Sequence, residues 1–360
     1  MTTTAQPSAL PPGLRVEAYD EPNPWTSLDL PAAADHFSFV LVSDRTGNAR
    51  PGVFERGLAV TDLLAPSFAI QLGDLIEGYT DDDAELARQW SHIEGMFAGM
   101  RTPMFLTPGN HDVSTPKMEQ RWRERYGRCH YHFRYGDALF IILNTQENPA
   151  ELTPNVAEHL HALEERLVQY PIAAREQVAE LFDWNGTQPA SVGEEQLADV
   201  EHALRENTDA RWTFLCMHMP LWQGSHPAWN RIRAALRDRP YHAFAGHVHN
   251  YRHERAGANS HVRLGPTGGL WVLGGPEGNL DHVTQVTVTK NGPAVANILL
   301  DGIRDVDGQP LLPVATRSVP TRMPARGDGR RPDSGTGVRA GGCHARRTDP
   351  SRLRPHRRAR

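Results

Sequence analysis

The sequence predicts an α/β fold in which two β-sheets pack face to face and carry helices on their outer faces. In the first half of the chain, apolar runs of strand length alternate with helical patterns, and the second half holds mostly strands. The 360 residues are 39% hydrophobic and 22% charged, so the chain can bury a sizeable core. Residues 1–30, rich in Pro, Ser and Thr, predict an irregular lead-in to a domain that we place at residues 31–316.

In the first half, each predicted strand is a short apolar run, and the helices begin at a proline or a capping residue. Pro51 suits the first turn of one helix, and Thr115-Pro116 opens another. Thr80 and Asp83 predict the N-terminal cap of a helix that extends to about Met100. The strands predicted in this half are 36–43, 68–72, 103–107, 131–135 and 138–144.

In the second half, a looser polar segment precedes a second set of strands. Residues 147–188 have a mostly polar helical pattern, which we interpret as an insertion or a lid over the site. Ser191 and Glu194 have the spacing of a capping box for the next helix. The strands predicted in this half are 212–217, 241–245, 262–264, 270–273, 283–289 and 294–300, with a further helix near 228–236.

The net charge of −5 conceals two regions of opposite sign. Residues 317–360 carry 13 arginines and three aspartates and lack Phe, Tyr and Trp, so we expect this Arg-rich tail to be disordered. The rest of the chain has 25 basic and 40 acidic side chains, which argues against broad docking of duplex DNA. Nucleic acid is then expected as a partner only through the tail.

The cysteine content and the N-terminal residues favour a cytoplasmic protein. Three widely separated cysteines, Cys129, Cys216 and Cys343, exclude a disulfide framework and suit a reducing compartment. No apolar run approaches the roughly 20 residues that span a bilayer, and the N-terminus lacks the pattern of a secretory signal. We therefore expect no membrane partner.

Five short polar segments follow predicted strands, and together they contain four carboxylates, one amide and four histidines. Such a mixture of oxygen and nitrogen donors suits a pair of Mn, Fe or Zn ions, which can clamp a phosphate between them. Taken singly, a Gly-Asp pair is more often a turn, and a lone histidine is more often part of a core. The five segments are Ser43-Asp44-Arg45-Thr46, residues 73–77, Gly109-Asn110-His111-Asp112, Met217-His218-Met219-Pro220 and Gly246-His247-Val248-His249.

These segments resemble the motifs of the calcineurin-like metallophosphoesterases, D-x-H, G-D-x-x, G-N-H-[DE], H and G-H-x-H, over roughly residues 36–302. The resemblance implies a four-layer αββα sandwich of two mixed β-sheets flanked by helices. It also implies two divalent or trivalent metal ions and attack of a metal-bound hydroxide on a phosphate mono- or diester. The ligands so implied are Asp74 as the bridge, Asp44 and His249 on the first ion, and Asn110, His218 and His247 on the second.

The same resemblance assigns the proton transfer and part of the substrate contact. It implies that His111 is the general acid that protonates the leaving oxygen, with Asp112 as the group that orients its ring. Asn110 and His111 would both contact the substrate as well.

The chain departs from the family pattern at Thr46, where a histidine is usual, and so resembles a branch that lacks the first-motif histidine. The purple acid phosphatase branch also lacks it and has a tyrosine three residues after the bridging aspartate, where this chain has Glu77. We consider two interpretations of Glu77. Either it replaces the missing ligand and gives an oxygen-rich site that favours Mn or Fe over Zn, or it caps or pairs locally.

Arg45, Tyr79 and His226 are further candidates for substrate binding. Arg45 adjoins the first ligand and would hold a phosphate oxygen, or form a surface salt bridge instead. Tyr79 and His226 lie on loops near the implied ligands, as do Trp222 and Tyr251, although aromatic rings near such loops often only pack. The expected substrate is a small phosphorylated compound or a phosphoprotein loop. The alternative functions are a metal-binding scaffold of the same fold and a nucleic-acid-associated protein that uses the tail.

Overall fold

The computed structural model describes residues 10–16, 22–149, 189–237, 239–271, 278–300 and 302–305. The expected tail at 317–360 lies outside these residues, as does all of the expected lid at 147–188 except its first three residues. Among the helices of the described ranges, none is both long enough and apolar enough to cross a bilayer.

The described residues form two mixed β-sheets with helices on their outer faces, which confirms the four-layer αββα fold. The strands are β1 Leu14–Val16, β2 Phe37–Val42, β3 Phe68–Leu72, β4 Met104–Thr107, β5 Tyr131–Tyr135, β6 Ala138–Leu143, β7 Trp212–Met217, β8 Tyr241–Ala245, β9 Arg252–Ala256, β10 Asn259–Arg263, β11 His282–Thr289, β12 Gly292–Leu299 and β13 Gly302–Asp305. The helices are α1 Val53–Leu64, α2 Asp83–Ala98, the single turn α3 Asn110–Val113, α4 Pro116–Tyr126, α5 Glu194–Glu206 and α6 Pro227–Leu236.

Both sheets combine a group of parallel strands with antiparallel strands. One sheet has the strand order β1-β5-β6-β7-β8-β10-β9, and the other has the order β13-β12-β11-β2-β3-β4. The strands β2, β3 and β4 are mutually parallel, as are β6, β7 and β8. The carboxyl ends of each parallel group therefore lie at one edge of its sheet, which is where loops carry functional side chains in α/β folds.

Three apolar clusters separate the four layers. Between the sheets, aromatic rings from both sides interdigitate, as where Phe39 of β2 meets Phe140 and Phe214 at centroid distances of 5.1 and 5.0 Å. A second cluster joins α1, α2 and α4 to the outer face of one sheet, and a third joins α5 and α6 to the other. This burial holds the strand ends rigidly enough to position side chains at their tips.

Several elements differ from their sequence-based predictions. The segment 1–30 contains the edge strand β1, which pairs with β5, and the hairpin strand β9 was not predicted. The side chain that caps α2 is Asp82, which accepts the backbone N–H groups of Ala84 and Glu85, and not Thr80. The cap of α5 is Gly193 without a side-chain bond, so the predicted capping box is absent.

A strand was also predicted at 270–273, but Leu270 and Trp271 belong to no strand. The backbone of Leu270 is bonded instead to the loops of the candidate site, because its N–H donates to Gly47 O at 2.9 Å.

Candidate metal centre

The five polar segments meet at the carboxyl ends of parallel strands from both sheets, as predicted. Asp44 follows β2 and Asp74 follows β3, and Asn110 comes shortly after β4. From the other sheet, His218 follows β7 directly, and the Gly-His-Val-His segment follows β8. Residues far apart in the sequence thus share one crevice because their strands end side by side.

Four of the implied ligands have backbone conformations in the left-handed region. The φ angles are 50° at Asp44, 62° at Asp74, 71° at His247 and 54° at His249. This region is unfavourable for residues with a Cβ, and it persists where the surrounding structure enforces it, often at functional sites.

Two groups of side chains offer ligand atoms within 4.8 Å of one another, and Asp74 belongs to both. One group joins Asp74 to His218 and His247, and the other joins it to Asp44 and His249. His218 Nε2 lies 3.1 Å from Asp74 Oδ2, and His249 Nε2 lies 3.4 Å from Asp44 Oδ1. The shared position of Asp74 is that of a side chain able to bridge two cations.

Asn110 adds its amide oxygen to the group of Asp74, His218 and His247. Asn110 Oδ1 lies 2.9 Å from His218 Nε2 and 2.8 Å from His247 Nδ1. Two neighbouring imidazole nitrogens and an amide oxygen thus point at the same space, which is an arrangement that one cation would satisfy.

The imidazoles of His218 and His249 are oriented by backbone carbonyls. His218 Nδ1 lies 2.8 Å from Leu72 O, and His249 Nδ1 contacts Leu270 O. A carbonyl accepts only a proton donor, so each Nδ1 carries a proton and each Nε2 faces the centre, where it can bind a cation once it carries no proton. Metal-binding histidines are commonly held in this way.

Charged side chains in the centre shift one another's pKa values. Burial raises the pKa of Asp74, but the charges of His218 and His111 outweigh it and hold that pKa well below its usual range. Burial lowers the pKa of His218, but the Asp74 carboxylate outweighs it and raises that pKa to about 9. Burial and the His218 charge lower the pKa of His247 to about 3. A neutral His247 has a nitrogen lone pair that can bind a cation.

The donor set fits a pair of metal ions. Two fully buried carboxylates, an amide oxygen and three imidazoles would be costly to gather without cations to compensate them. Glycines make the close approach of the loops possible, since a Cβ at Gly109 would overlap the Asp74 carboxylate and one at Gly246 would overlap that of Asp44. The group of Asp44, Asp74 and His249 has two carboxylates and one imidazole, which makes it rich in oxygen.

The contacts of Glu77 favour the local interpretation over that of a replacement ligand. Its carboxylate accepts backbone N–H groups from Gly47 at 3.3 Å, Asn48 at 3.2 Å and Ala49 at 2.9 Å. Burial raises the pKa of Glu77, but the His111 charge and these hydrogen bonds outweigh it and lower that pKa. Among the described residues, neither group of ligand atoms includes Glu77.

His111 lies at the centre, but its ring is held by a different group from the one expected. His111 Nδ1 lies 2.8 Å from the backbone oxygen of Glu77, and its backbone N–H donates to Asp74 Oδ1 at 3.0 Å. Asp112, expected to orient this ring, accepts four backbone N–H groups instead. They belong to Gly109, Asp74, Leu75 and Ile76, at 2.8–3.2 Å.

Two of the three substrate-binding candidates lie at the loops of the centre. Arg45 Nη1 donates to Leu75 O at 2.9 Å, so the guanidinium packs on the loop that carries Asp74. The Tyr79 hydroxyl accepts Asn110 Nδ2 at 2.8 Å. His226 caps α6 instead, because its Nδ1 accepts the backbone N–H of Ala228 and its Nε2 faces Ala190 O at 2.9 Å.

Of the two other aromatic candidates, Trp222 packs against the rings of Trp229 and His261, at centroid distances of 5.9 and 5.2 Å. Tyr251 is buried and meets the ring of His282 edge-on, with the centroids 5.5 Å apart. Both contacts are those of aromatic packing.

The segment 266–270 also belongs to the site, although the sequence patterns described above did not indicate it. The Gly269 N–H donates to Asp44 O at 2.8 Å. The Thr267 N–H donates to Ser43 O, and the Thr267 hydroxyl accepts the Ser43 N–H. Leu270 supplies the carbonyl that orients His249. The Pro-Thr-Gly-Gly sequence after a predicted strand was the available signal, because paired glycines often mark a close approach of backbones.

The family model for calcineurin-like phosphoesterases matches residues 37–251. Among solved structures, a dimetal phosphatase from Danio rerio is 13% identical, with a TM-score of 0.50, over 76% of this chain and 99% of that one. GAP50, the anchor in the inner membrane complex of Plasmodium, is 12% identical with a TM-score of 0.46, over 76% and 89%. A PhoD structure is 14% identical with a TM-score of 0.46, over 77% and 73%. No curated protein matches the chain.

Proposed function

This chain belongs to the calcineurin-like phosphoesterase family and is a hydrolase of phosphoric ester bonds, and we propose that it cleaves a phosphate mono- or diester at two metal ions held by the strand-end ligands. The observation that carries the proposal is the shared position of Asp74 between two groups of ligand atoms. Asp44 and His249 would hold the first ion, and Asn110, His218 and His247 would hold the second.

Two such ions would neutralise charge on the phosphoryl oxygens and lower the pKa of a water that they bind. We propose Mn or Fe as the native metals, with Zn as the alternative, because Asp44 and Asp74 give the first position more oxygen than nitrogen. Thr46 adds no imidazole there, and Glu77 is engaged with the backbone of residues 47–49.

The leaving oxygen also needs a proton, and His111 is the candidate donor. The Glu77 carbonyl holds the proton of His111 on Nδ1, so an imidazolium form would present its second proton from Nε2. We propose that His111 Nε2 gives this proton to the leaving oxygen, and that Asn110 and His111 both face the phosphoryl group.

We propose a small phosphorylated compound or a phosphoprotein loop as the substrate. The acidic body of the chain disfavours a long polyanion spread over its surface. Arg45 would be the guanidinium nearest the phosphate, and its bond to Leu75 O fixes it against the loop of the bridging aspartate.

Turnover of aryl phosphate mono- and diesters by the full chain, with Mn, Fe or Zn added, tests this function. We expect hydrolysis that is abolished by a chelator and reduced by about 10³-fold or more in Asp74→Asn, since both ions lose their shared carboxylate. Asp137→Asn is the matched control, because Asp137 pairs with Arg211 on the surface. An active Asp74→Asn enzyme would exclude the mechanism, and two bound ions without turnover of either ester would favour the scaffold.

A further inference from the structure

Tyr79 lies in a strained turn that packs directly against the turn carrying Asn110 and His111. Its backbone is in the left-handed region, with φ of 46°, and it follows Gly78 at φ of 60°. A Cβ at Gly78 would overlap the backbone carbonyl of His111, so only glycine permits this approach. A non-glycine residue in this region costs about 1–3 kcal/mol and persists where its surroundings enforce it.

Three contacts hold this turn in place. The Gly78 N–H donates to Gln89 Oε1 at 3.0 Å, and the Glu77 carbonyl faces His111 Nδ1 at 2.8 Å. The ring of Tyr79 meets the ring of His111 edge-on, with the centroids 4.8 Å apart and the planes at 83°. The direction of the Tyr79 side chain is therefore fixed by its backbone and by its neighbours.

The fixed hydroxyl of Tyr79 bonds to one end of the Asn110 side chain. Asn110 Nδ2 donates to this hydroxyl at 2.8 Å, while Oδ1 lies among the candidate ligand atoms of His218 and His247. The two ends of a carboxamide are not equivalent, because the oxygen has lone pairs to offer a cation and the nitrogen carries two donor hydrogens. Rotation of this amide by a half turn would replace a ligand with an N–H₂ group.

We propose that Tyr79 is a positioning residue that selects the orientation in which Asn110 presents its oxygen to the second metal ion. The inference rests on the proposed metal centre and adds to it a residue that touches no ion. This role differs from the substrate contact that the sequence position of Tyr79 suggested, because Tyr79 would orient Asn110 before any substrate binds. Partners that orient metal ligands typically change metal affinity by about 10- to 100-fold.

Metal binding to the full chain in the absence of substrate tests this role. Tyr79→Phe keeps the ring and removes only the hydroxyl. Titration of the metal-depleted protein with Mn²⁺ or Co²⁺ should show an affinity for one of two ions that is lower by about 10- to 100-fold. Tyr241→Phe is the matched control, because the Tyr241 hydroxyl faces His261 Nε2 at 3.0 Å, at the opposite end of β8 from the ligands. It should bind both ions as the wild type does.

An Asn110→Asp background separates orientation from packing. Aspartate offers an oxygen in either orientation, so Tyr79→Phe should weaken metal binding severalfold less there than in the wild type. The visible absorption of bound Co²⁺, which responds to the number of ligands, gives a second readout in every variant. Circular dichroism of each variant before titration shows that it is folded.

Two results would overturn the inference while the proposed function survives. They are an equal loss of affinity in both backgrounds, and an affinity of Tyr79→Phe within about twofold of that of the wild type. A wild-type chain that binds no pair of ions would overturn the proposed function and this inference together.

Discussion

The Glu77 carboxylate accepts three consecutive backbone N–H groups in the loop that follows Asp44. Gly47 and Asn48 both have positive φ, of 76° and 66°, and successive N–H groups of a tight turn can point toward one anion. The loop therefore depends on Glu77 for its shape. A metal pair built from other side chains does not depend on it directly.

Replacing Glu77 with alanine should leave the metal stoichiometry at two ions per chain while destabilising the fold. Loss of the carboxylate leaves several partly buried N–H groups without their acceptor. We therefore expect the free energy of unfolding to fall by about 1–3 kcal/mol. Elemental analysis of the loaded variant and urea unfolding measure the two effects. Glu55→Ala, on the exposed side of α1, is the control. Loss of one ion in Glu77→Ala alone would restore the interpretation of Glu77 as a ligand.

Removal of the His111 ring should reduce kcat in a manner that depends on the leaving group. We expect His111→Ala to lower kcat by about 10²–10⁴-fold for an alkyl phosphate, whose leaving oxygen needs a proton. The loss should be much smaller for a nitrophenyl phosphate, whose leaving oxygen departs as a stable anion. Steady-state kinetics with both esters measure the difference, and His92→Ala, exposed on α2, is the control. The same loss for both esters would contradict the role as general acid.

At the scale of elements, Asp112 joins the loops that follow β3 and β4. Its Oδ2 accepts Asp74 N at 2.8 Å and Gly109 N at 2.9 Å, and its Oδ1 accepts Leu75 N and Ile76 N. Burial and the Asp74 charge raise the pKa of Asp112 to about 7, and the backbone N–H groups act in the opposite direction. One buried carboxylate thus supports the backbone of Asp74, the residue shared by both groups of candidate ligand atoms.

Asp112→Asn should weaken this junction, because an amide has only one acceptor end. In either orientation its N–H₂ group faces two backbone N–H donors, which then lack an acceptor. Each such donor lowers the free energy of unfolding by about 1–3 kcal/mol. Urea unfolding in the presence of a chelator measures the loss without a contribution from bound metal. The surface variant Asp137→Asn should remain as stable as the wild type. Equal stability of Asp112→Asn and the wild type would contradict this account.

Helices and strands could be predicted from the sequence because their residue patterns are local. The hydrogen bonds that join loops distant in the sequence could not. The apolar runs located β2, β3, β7 and β8, and the polar residues at their ends located the candidate ligands. Local pattern did not show that Asp112 bonds the preceding loop, because that bond spans 38 residues of sequence. The role of Leu270 was missed for the same reason, since its carbonyl serves His249 across the crevice.

At the scale of the whole molecule, packing of the two sheets buries titratable groups that the proposed chemistry does not use. His282 begins β11 and is fully buried, with Nδ1 3.1 Å from Leu280 O and its ring edge-on to Tyr251. Burial lowers the pKa of His282 to about 4, although the charges of Asp281 and Asp44 act in the opposite direction. Folding therefore keeps this imidazole neutral.

The stability contributed by a neutral His282 should disappear as the pH falls from about 6.5 to about 4. In this window the unfolded chain binds a proton that the folded chain excludes, so the free energy of unfolding rises with pH. The contribution amounts to roughly 3 kcal/mol in total, and it is fully present above the unfolded pKa. His282→Gln keeps a donor for Leu280 O and removes the titration. We expect the wild type to lose more stability than His282→Gln between pH 7 and 4.5, measured by urea unfolding with a chelator present.

Burial lowers the pKa of His242 on β8 to about 4. His242 therefore also makes the free energy of unfolding rise with pH, and it does so equally in the wild type and in His282→Gln. The ionisable groups of the metal centre are likewise common to both proteins, and the difference between them isolates His282. A parallel loss of stability in the two proteins over this pH range would show that His282 is not held neutral by folding.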